Sequence, residues 1–442
     1  MARVFSRVLI VLLTILLIVG GVALLPSCGE GEQVTLGKMH IIDATHLFIA
    51  PGSGNKLFKI TEAGYIQEVT YEDENGNNVT MVEEPVAIYD VDPEYVIVCF
   101  GENEVDISEG YLVRKTDGAV FSLENAGFPS RNWGYMNNES VFTDSSSNIY
   151  YLSGDREIIK LNMGNTDSIT KIRYSPSGDI VYNFFIVDKD GNAAYHGRAK
   201  EGGIGDFIRI RTAEGSIYDG LFDDSPYLWL GPDGVIYCAA LEHCEGKSEC
   251  WNPYFLIEKM SVNATTGVPT KSDYFAFNIS GEYSIVLWTL SRYYKLELQD
   301  RVIFVPADFD PADPFKNWPH IFEVYNPTNS ARYLNMTACF GLTGVYSALA
   351  TDNFYYLHGS NNSSDSFFVK VDPTDDSYAV LALNTDEYYL YTWAPSVADE
   401  LIFNALRMSD GVMVVGKFDV SGNMTILDEE VDVEIVVLER IQ

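Results

Sequence analysis

Asn148-Ile-Tyr-Tyr-Leu152 and Asn353-Phe-Tyr-Tyr-Leu357 are one strand written twice in a chain of 442 residues. The same short apolar-aromatic run occurs six more times. It reads His46-Leu-Phe-Ile-Ala50, Tyr95-Val-Ile-Val-Cys99, Asn192-Ala-Ala-Tyr-His196, Gly234-Val-Ile-Tyr-Cys238, Arg301-Val-Ile-Phe-Val305 and Glu400-Leu-Ile-Phe-Asn404. Each run opens a phrase: a strand, a loop, a second strand, a turn of Gly, Asn or Asp, and a third strand. Leu47 to Leu401 gives a mean spacing of about 51 residues, a period that builds stacked or radial repeats rather than independent domains. No long stretch carries the 3.6-residue period of a helix, so the body is expected to be all-β.

A single four-stranded sheet exposes two apolar faces and cannot bury them alone. Sheets packed face to face around an axis bury both. The expected fold is therefore a β-propeller of about eight four-stranded blades after an N-terminal signal segment. Seven is the alternative, because the phrase at Asn192 is the weakest. Val431-Asp-Val-Glu-Ile-Val-Val-Leu438 is strand-like and lies beyond the last phrase; it is expected to pair into the first blade and close the ring. Tyr174-Ser-Pro-Ser-Gly-Asp-Ile-Val-Tyr182 resembles the aromatic-Ser-Pro-Asp-Gly turn of TolB-type propellers. Leu230-Gly-Pro-Asp-Gly-Val-Ile-Tyr237 is similar to the turn of NHL-like propellers. Both resemblances imply the propeller superfamily and no particular activity.

The first thirty residues read as an address. Arg3 and Arg7 precede an uncharged run from Val8 to Leu25, the order of a secretory signal. The run ends Leu25-Pro26-Ser27-Cys28, which resembles a bacterial lipobox, with Pro26 standing where that family has a small residue. The resemblance implies acylation of Cys28 after cleavage. The domain reading is then 1–27 signal peptide, 28–38 acidic tether and 39–442 a single propeller. The partner is a membrane reached through a lipid anchor, on the periplasmic or extracellular side of the cell envelope. An uncleaved N-terminal transmembrane anchor is the alternative, since 18 or so apolar residues just span a bilayer. Both place the body outside the cytoplasm.

Lys plus Arg is 29 against 63 Asp plus Glu, a net charge of -34. That excludes nucleic acid as a partner, since phosphate binding needs a basic face. Cys244 and Cys250 flank a short polar loop and are expected to form a disulfide in an oxidising compartment. Cys99 and Cys238 sit in strands and read as buried thiols. The long second-to-third-strand loops, especially Glu242 to Pro253 and Pro306 to His320, are where ligand contacts are expected, because a rigid scaffold presents binding on its loops. Trp251 and Trp318 in those loops are candidate ligand-binding residues. Asp308, Asp310 and Asp313 are candidate ligands for Ca²⁺, a cation that takes several carboxylate oxygens. Asp188-Lys-Asp-Gly-Asn192 has calcium-like composition, but a turn explains it more simply.

Catalytic templates are missing from the sequence: no Gly-x-Ser-x-Gly elbow, His-Glu-x-x-His or P-loop occurs. The leading expectation is an exported ligand-binding or protein-interaction module with an envelope protein or glycan as partner. One alternative is an extracellular carbohydrate-active hydrolase or lyase on the same fold. The other is a structural surface protein.

Overall fold

The computed structural model describes residues 36–440 except 51–54, 104–105, 124–127, 130–140, 164–168, 200–205, 220, 222–226, 232, 243–253, 279–292, 299–300, 307–319, 326–329, 352, 362–365, 375–377, 382–386, 396–398 and 430–436. Its strands form eight four-stranded antiparallel sheets and one small three-stranded sheet. The second sheet shows the pattern: Glu84–Asp90, Tyr95–Gly101, Ile107–Arg114 and Val120–Ser122 follow one another as a meander. The third to eighth sheets repeat it, beginning at Val141–Thr143, Asp179–Val187, Tyr227–Leu230, Tyr293–Leu298, Gly344–Ala350 and Tyr388–Pro395. All eight recurrent phrases, including that at Asn192, fall on the second strand of a sheet.

Why that strand is apolar throughout follows from where its side chains go. A strand sends alternate residues to opposite faces, and here both faces are buried. In Tyr95–Gly101, Val96, Val98 and Phe100 pack with Leu47 and Ile49 of the first sheet. Ile97 and Cys99 pack with Ile149 and Tyr151 of the third. Tyr150 and Leu152 then point the other way, toward Phe185 and Tyr195 of the fourth. The alternation recurs at Tyr355 and Leu357, which join the core with Ile303 and Val305, and at Tyr356, which joins Leu401 and Phe403. Each fully buried side chain of this size contributes about 1.5–3 kcal/mol.

The ring closes through the C-terminus. Val437–Arg440 pairs antiparallel with Ala44–Ala50, in the register His46↔Arg440, Leu47↔Glu439, Phe48↔Leu438 and Ile49↔Val437. It takes the first place in a sheet completed by Lys56–Thr61 and Ile66–Glu68. Phe48, Ala50 and Ile60 pack there against Ile402 and Val415 of the eighth sheet. His46, wholly buried, forms a hydrogen bond through Nε2 with the Pro395 carbonyl of that sheet at 2.8 Å. The pairing strand lies at the end of the expected Val431–Leu438 segment, with 431–436 outside the described residues.

First strands of neighbouring sheets touch one another, including Tyr293–Leu298 with Gly344–Ala350 and Tyr388–Pro395 with Val437–Arg440. Fourth strands such as Ile217–Asp219 and Met424–Asp428 are the most exposed. First strands therefore face the axis and fourth strands the rim. Successive packing, a meander in each sheet and closure by the terminal strand define a β-propeller.

The body begins earlier than the sequence suggests. Leu36–Met39, which overlaps the expected tether, pairs with Tyr71–Asp73 in the three-stranded sheet, and Met39 donates its backbone N–H to the Gly118 carbonyl of the second sheet at 2.9 Å. Leu36 and Met39 are buried, so their apolar side chains hold this segment to the rim.

A carboxylate is locked inside the sixth sheet. Glu323 is wholly buried. It accepts from Arg332 Nε at 2.6 Å and from the Tyr355 hydroxyl at 3.2 Å, and Arg301 Nη1 lies 3.9 Å away. Arg301 Nη1 also donates to the Pro373 carbonyl at 2.6 Å. The sixth and seventh sheets are thus joined by a charge network whose members are mutually satisfied.

Candidate functional site

The meander gives each sheet two unlike ends. First-to-second and third-to-fourth turns lie at one, and second-to-third loops and sheet-to-sheet crossings at the other. The turn end uses one device repeatedly. In Asp144–Asn148, Asp188–Asn192 and Asp419–Asn423, and also in the Asp73–Asn77 hairpin of the three-stranded sheet, the aspartate carboxylate accepts the backbone N–H groups two and four residues on. The same carboxylate accepts from the side-chain amide of the closing Asn. The fourth position has positive φ and is Gly in three cases and Ser147, at 58°, in the other, as a three-residue hairpin with an αL residue requires. The calcium-like string at Asp188 is therefore a turn whose oxygens are already occupied.

Position decides how these carboxyls titrate. Asn77 bonds hold half-buried Asp73 below its ordinary value. Burial works against Asp144, yet its bonds from Asn148 and Tyr150 outweigh it and keep it low. At Asp188 burial dominates the same turn bonds and pushes the carboxyl up.

Turns of neighbouring sheets are also bonded to each other. Ser145 N–H donates to Lys189 O at 2.7 Å, and Lys189 N–H to Gly234 O at 2.9 Å. The Tyr356 hydroxyl donates to Asp399 O at 2.6 Å and Lys370 Nζ to Val420 O at 2.8 Å. This end spends its polar groups on holding the ring together.

At the loop end, the inner strands of the seventh and eighth sheets present tyrosines. Tyr346, Tyr389 and Tyr391 are 57%, 59% and 41% exposed. Two of them stand where the ladder slips by one residue. Val345 pairs with Gly359 and Ser347 with His358, so Tyr346 is extra. Leu390 pairs with Ala405 and Thr392 with Asn404, so Tyr391 is extra. Such a bulge re-aims a side chain away from the regular pleat. The local sequence imposes the first slip tightly: a Cβ on Gly359 would land on the Gly344 carbonyl oxygen.

A half-buried layer supports these rings. Tyr346 meets the His358 ring edge-on at 5.4 Å, and His358 stacks on Phe368 at 4.8 Å. Trp393 lies 4.8 Å from Phe368 and donates its indole N–H to Ser347 Oγ at 2.9 Å. That bond ties the two inner strands beside Tyr346 and Tyr391. The Tyr294 hydroxyl donates to the Tyr346 carbonyl at 2.6 Å, and Tyr389 meets Tyr391 at 5.2 Å. Burial pushes the His358 imidazole down to about 4, so it is neutral at pH 7. The arrangement offers aromatic faces and hydroxyls on a fixed base.

Of the residues singled out in the sequence, Cys28, Cys244, Cys250, Trp251, Trp318, Asp308, Asp310 and Asp313 all lie outside the described residues. Among the described residues no group of three or more His, Cys, Asp or Glu is placed to hold a metal. Cys99 and Cys238 are buried as expected, and burial pushes the Cys99 thiol far up. Sequence reading passed over the tyrosines, although Tyr388-Tyr-Leu-Tyr391 carried a signal: three bulky hydroxylated rings stand within four residues of one strand.

No protein-family model matches the chain, and no curated protein matches it. Among solved structures it is similar to puromycin hydrolase at 14% identity and a TM-score of 0.44, covering 78% of this chain and 53% of the other. The chain thus spans about half the length of that enzyme. It is also similar to the β-propeller domain of the trilobed protease from Pyrococcus furiosus, at 10% identity and a TM-score of 0.38, covering 86% and 98%. A structure assigned to TolB from Agrobacterium tumefaciens aligns at 12% identity and a TM-score of 0.27, covering 65% and 79%. None of these likenesses extends to activity.

Proposed function

We propose that this protein is an exported, membrane-tethered β-propeller lipoprotein that binds a ligand or partner at the loop end of its inner strands. The single observation that supports binding is the exposure of Tyr346, Tyr389 and Tyr391 on adjoining inner strands, two of them aimed outward by bulges. Large aromatic side chains left in solvent at one spot on a rigid fold lose burial energy that folding would otherwise collect, and amphipathic tyrosines are characteristic of contact surfaces. The address rests on the basic-apolar N-terminus and Leu25-Pro-Ser-Cys28.

Two measurements test the reading. Radiolabelled palmitate is expected to mark the wild-type chain and not Cys28→Ala, and equal labelling would remove the lipoprotein assignment. A thermal-shift screen of amines, peptides and glycans is expected to find ligands that raise the melting temperature of the wild type but not of a Tyr346→Ala, Tyr389→Ala, Tyr391→Ala triple variant. Ligands that stabilise both equally would move the site elsewhere.

A further inference from the structure

We infer that the tyrosine pair Tyr389 and Tyr391, whose rings lie 5.2 Å apart beside the inner strand that carries Tyr346, is a site for an organic cation, a protonated amine or quaternary ammonium group seated on the ring faces. The inference rests on the binding reading above and specifies the ligand's chemistry.

The fold itself repeatedly sets a cation on an aromatic ring. Arg211 lies 4.4 Å from the centre of the Tyr174 ring, Lys160 5.1 Å from Tyr150, Lys259 5.4 Å from Tyr237 and Lys370 3.7 Å from Phe354. These contacts satisfy the negative ring faces of the turn end. At the loop end, among the described residues, no Lys or Arg lies over the three exposed tyrosines. Among the described residues, then, nothing cationic occupies these exposed rings.

Charge selects the same ligand. The chain carries -34, a field that concentrates cations and repels anions. Close to the cluster the balance is acidic as well. Arg407, paired in register with Tyr388, is held by Asp410 at 2.8 Å and Glu429 at 2.7 Å, and exposed Glu387 immediately precedes the strand. His358, beneath the Tyr346 ring, adds no opposing charge at pH 7. A neutral sugar would use the rings but gain nothing from the field, and an acidic ligand would be opposed by it.

The test compares choline with 3,3-dimethylbutan-1-ol, its uncharged carbon isostere, by calorimetric titration against the full chain. Choline is expected to bind at least about tenfold more tightly than the isostere, and more weakly at high salt. Tyr389→Leu and Tyr391→Leu are each expected to weaken choline about tenfold, whereas Tyr391→Phe retains binding because the ring face is kept. Unliganded melting temperatures should not move, since these side chains are exposed. The peptide acetyl-Gly-Lys-Gly-amide separates the sources: binding of choline alone points to a free ammonium compound, and binding of the peptide points to a partner's lysine. Equal binding of choline and the isostere overturns the cation assignment. Binding of neutral disaccharides alone, lost in the Leu variants, also overturns it but keeps the binding reading. Indifference of every tested ligand to the Leu variants overturns both.

Discussion

Removing Val437–Gln442 should open the ring at one identifiable seam. The lost strand contributes four residue pairs against Ala44–Ala50, equivalent to about four ladder hydrogen bonds worth about 1 kcal/mol net each. Half-buried Leu438 packs on the core made by Phe48, Ala50, Ile60, Ile402 and Val415, which adds about 1–2 kcal/mol. The total is about 5 kcal/mol, a large share of the 5–15 kcal/mol typical of a folded domain. With an unfolding entropy of about 2 cal/mol/K per residue over roughly 400 residues, the melting temperature should fall by about 6 °C. Calorimetry of the full and truncated chains measures this. Hydrogen exchange should locate the change, with protection lost first in Ala44–Ala50 and Tyr388–Pro395, the strands on either side of the seam. A peptide of residues 431–442 added in excess should recover part of the loss. A truncated chain that melts within roughly 1 °C of the full one, with unchanged exchange at these strands, would refute closure by this strand.

Other outcomes follow from single side chains. Glu323→Ala leaves Arg301 buried without its carboxylate and should cost about 3–5 kcal/mol by urea unfolding; a cost below about 1 kcal/mol would mean that the Pro373 carbonyl suffices. His358 is neutral in the fold down to about pH 4, whereas an unfolded His takes up a proton near pH 6.5. Between those values the unfolded state binds more protons, so stability falls as pH falls across this window, by up to about 3 kcal/mol. His358→Phe should remove that part of the pH dependence, and an unchanged stability-pH slope between 6.5 and 4 would contradict the burial argument. Asp188→Ala strips its turn of the carboxylate that accepts Asp190 and Asn192 N–H groups and should lower stability by about 1–2 kcal/mol; no change in the denaturation midpoint would argue that the backbone alone fixes the turn. Gly359→Val should destabilise the seventh sheet more than Gly76→Val destabilises its exposed hairpin, because only the former meets a carbonyl oxygen; the reverse order in unfolding midpoints would reject the bulge argument.

The fold was legible because its strands carry two cores at once. A run such as Tyr95-Val-Ile-Val-Cys99 has no polar face because each face meets a different neighbour, and eight such runs at one spacing leave few architectures. Its place as second strand was less legible. A first strand such as Tyr388–Pro395 alternates over its first half between half-buried and exposed residues and therefore lacks the uniform apolar signature. The terminal strand's role could be expected from counting, but not its register, which depends on Phe48 and Leu438 meeting across the seam. Leu36-Gly-Lys-Met39 is short and mixed in sequence, and only pairing with Tyr71–Asp73 makes it a strand.

The same reasoning explains why the candidate site was hard to see. Loop length and acidic composition drew attention to the second-to-third loops, yet the turn end shows how often Asp and Asn in this chain serve their own backbone. Tyr346 and Tyr391 are informative for the opposite reason: a regular strand would direct each side chain into the pleat's alternation, and a one-residue slip releases it. Slips are set by the pairing partner, Gly359 in one case and the Asn404–Ala405 step in the other, so no local motif announces them. Two neighbouring inner strands slip at the same end, and at both the released residue is an exposed tyrosine. Packing alone would favour an apolar side chain turned inward at each, so the pair is better explained by contact with something outside the chain.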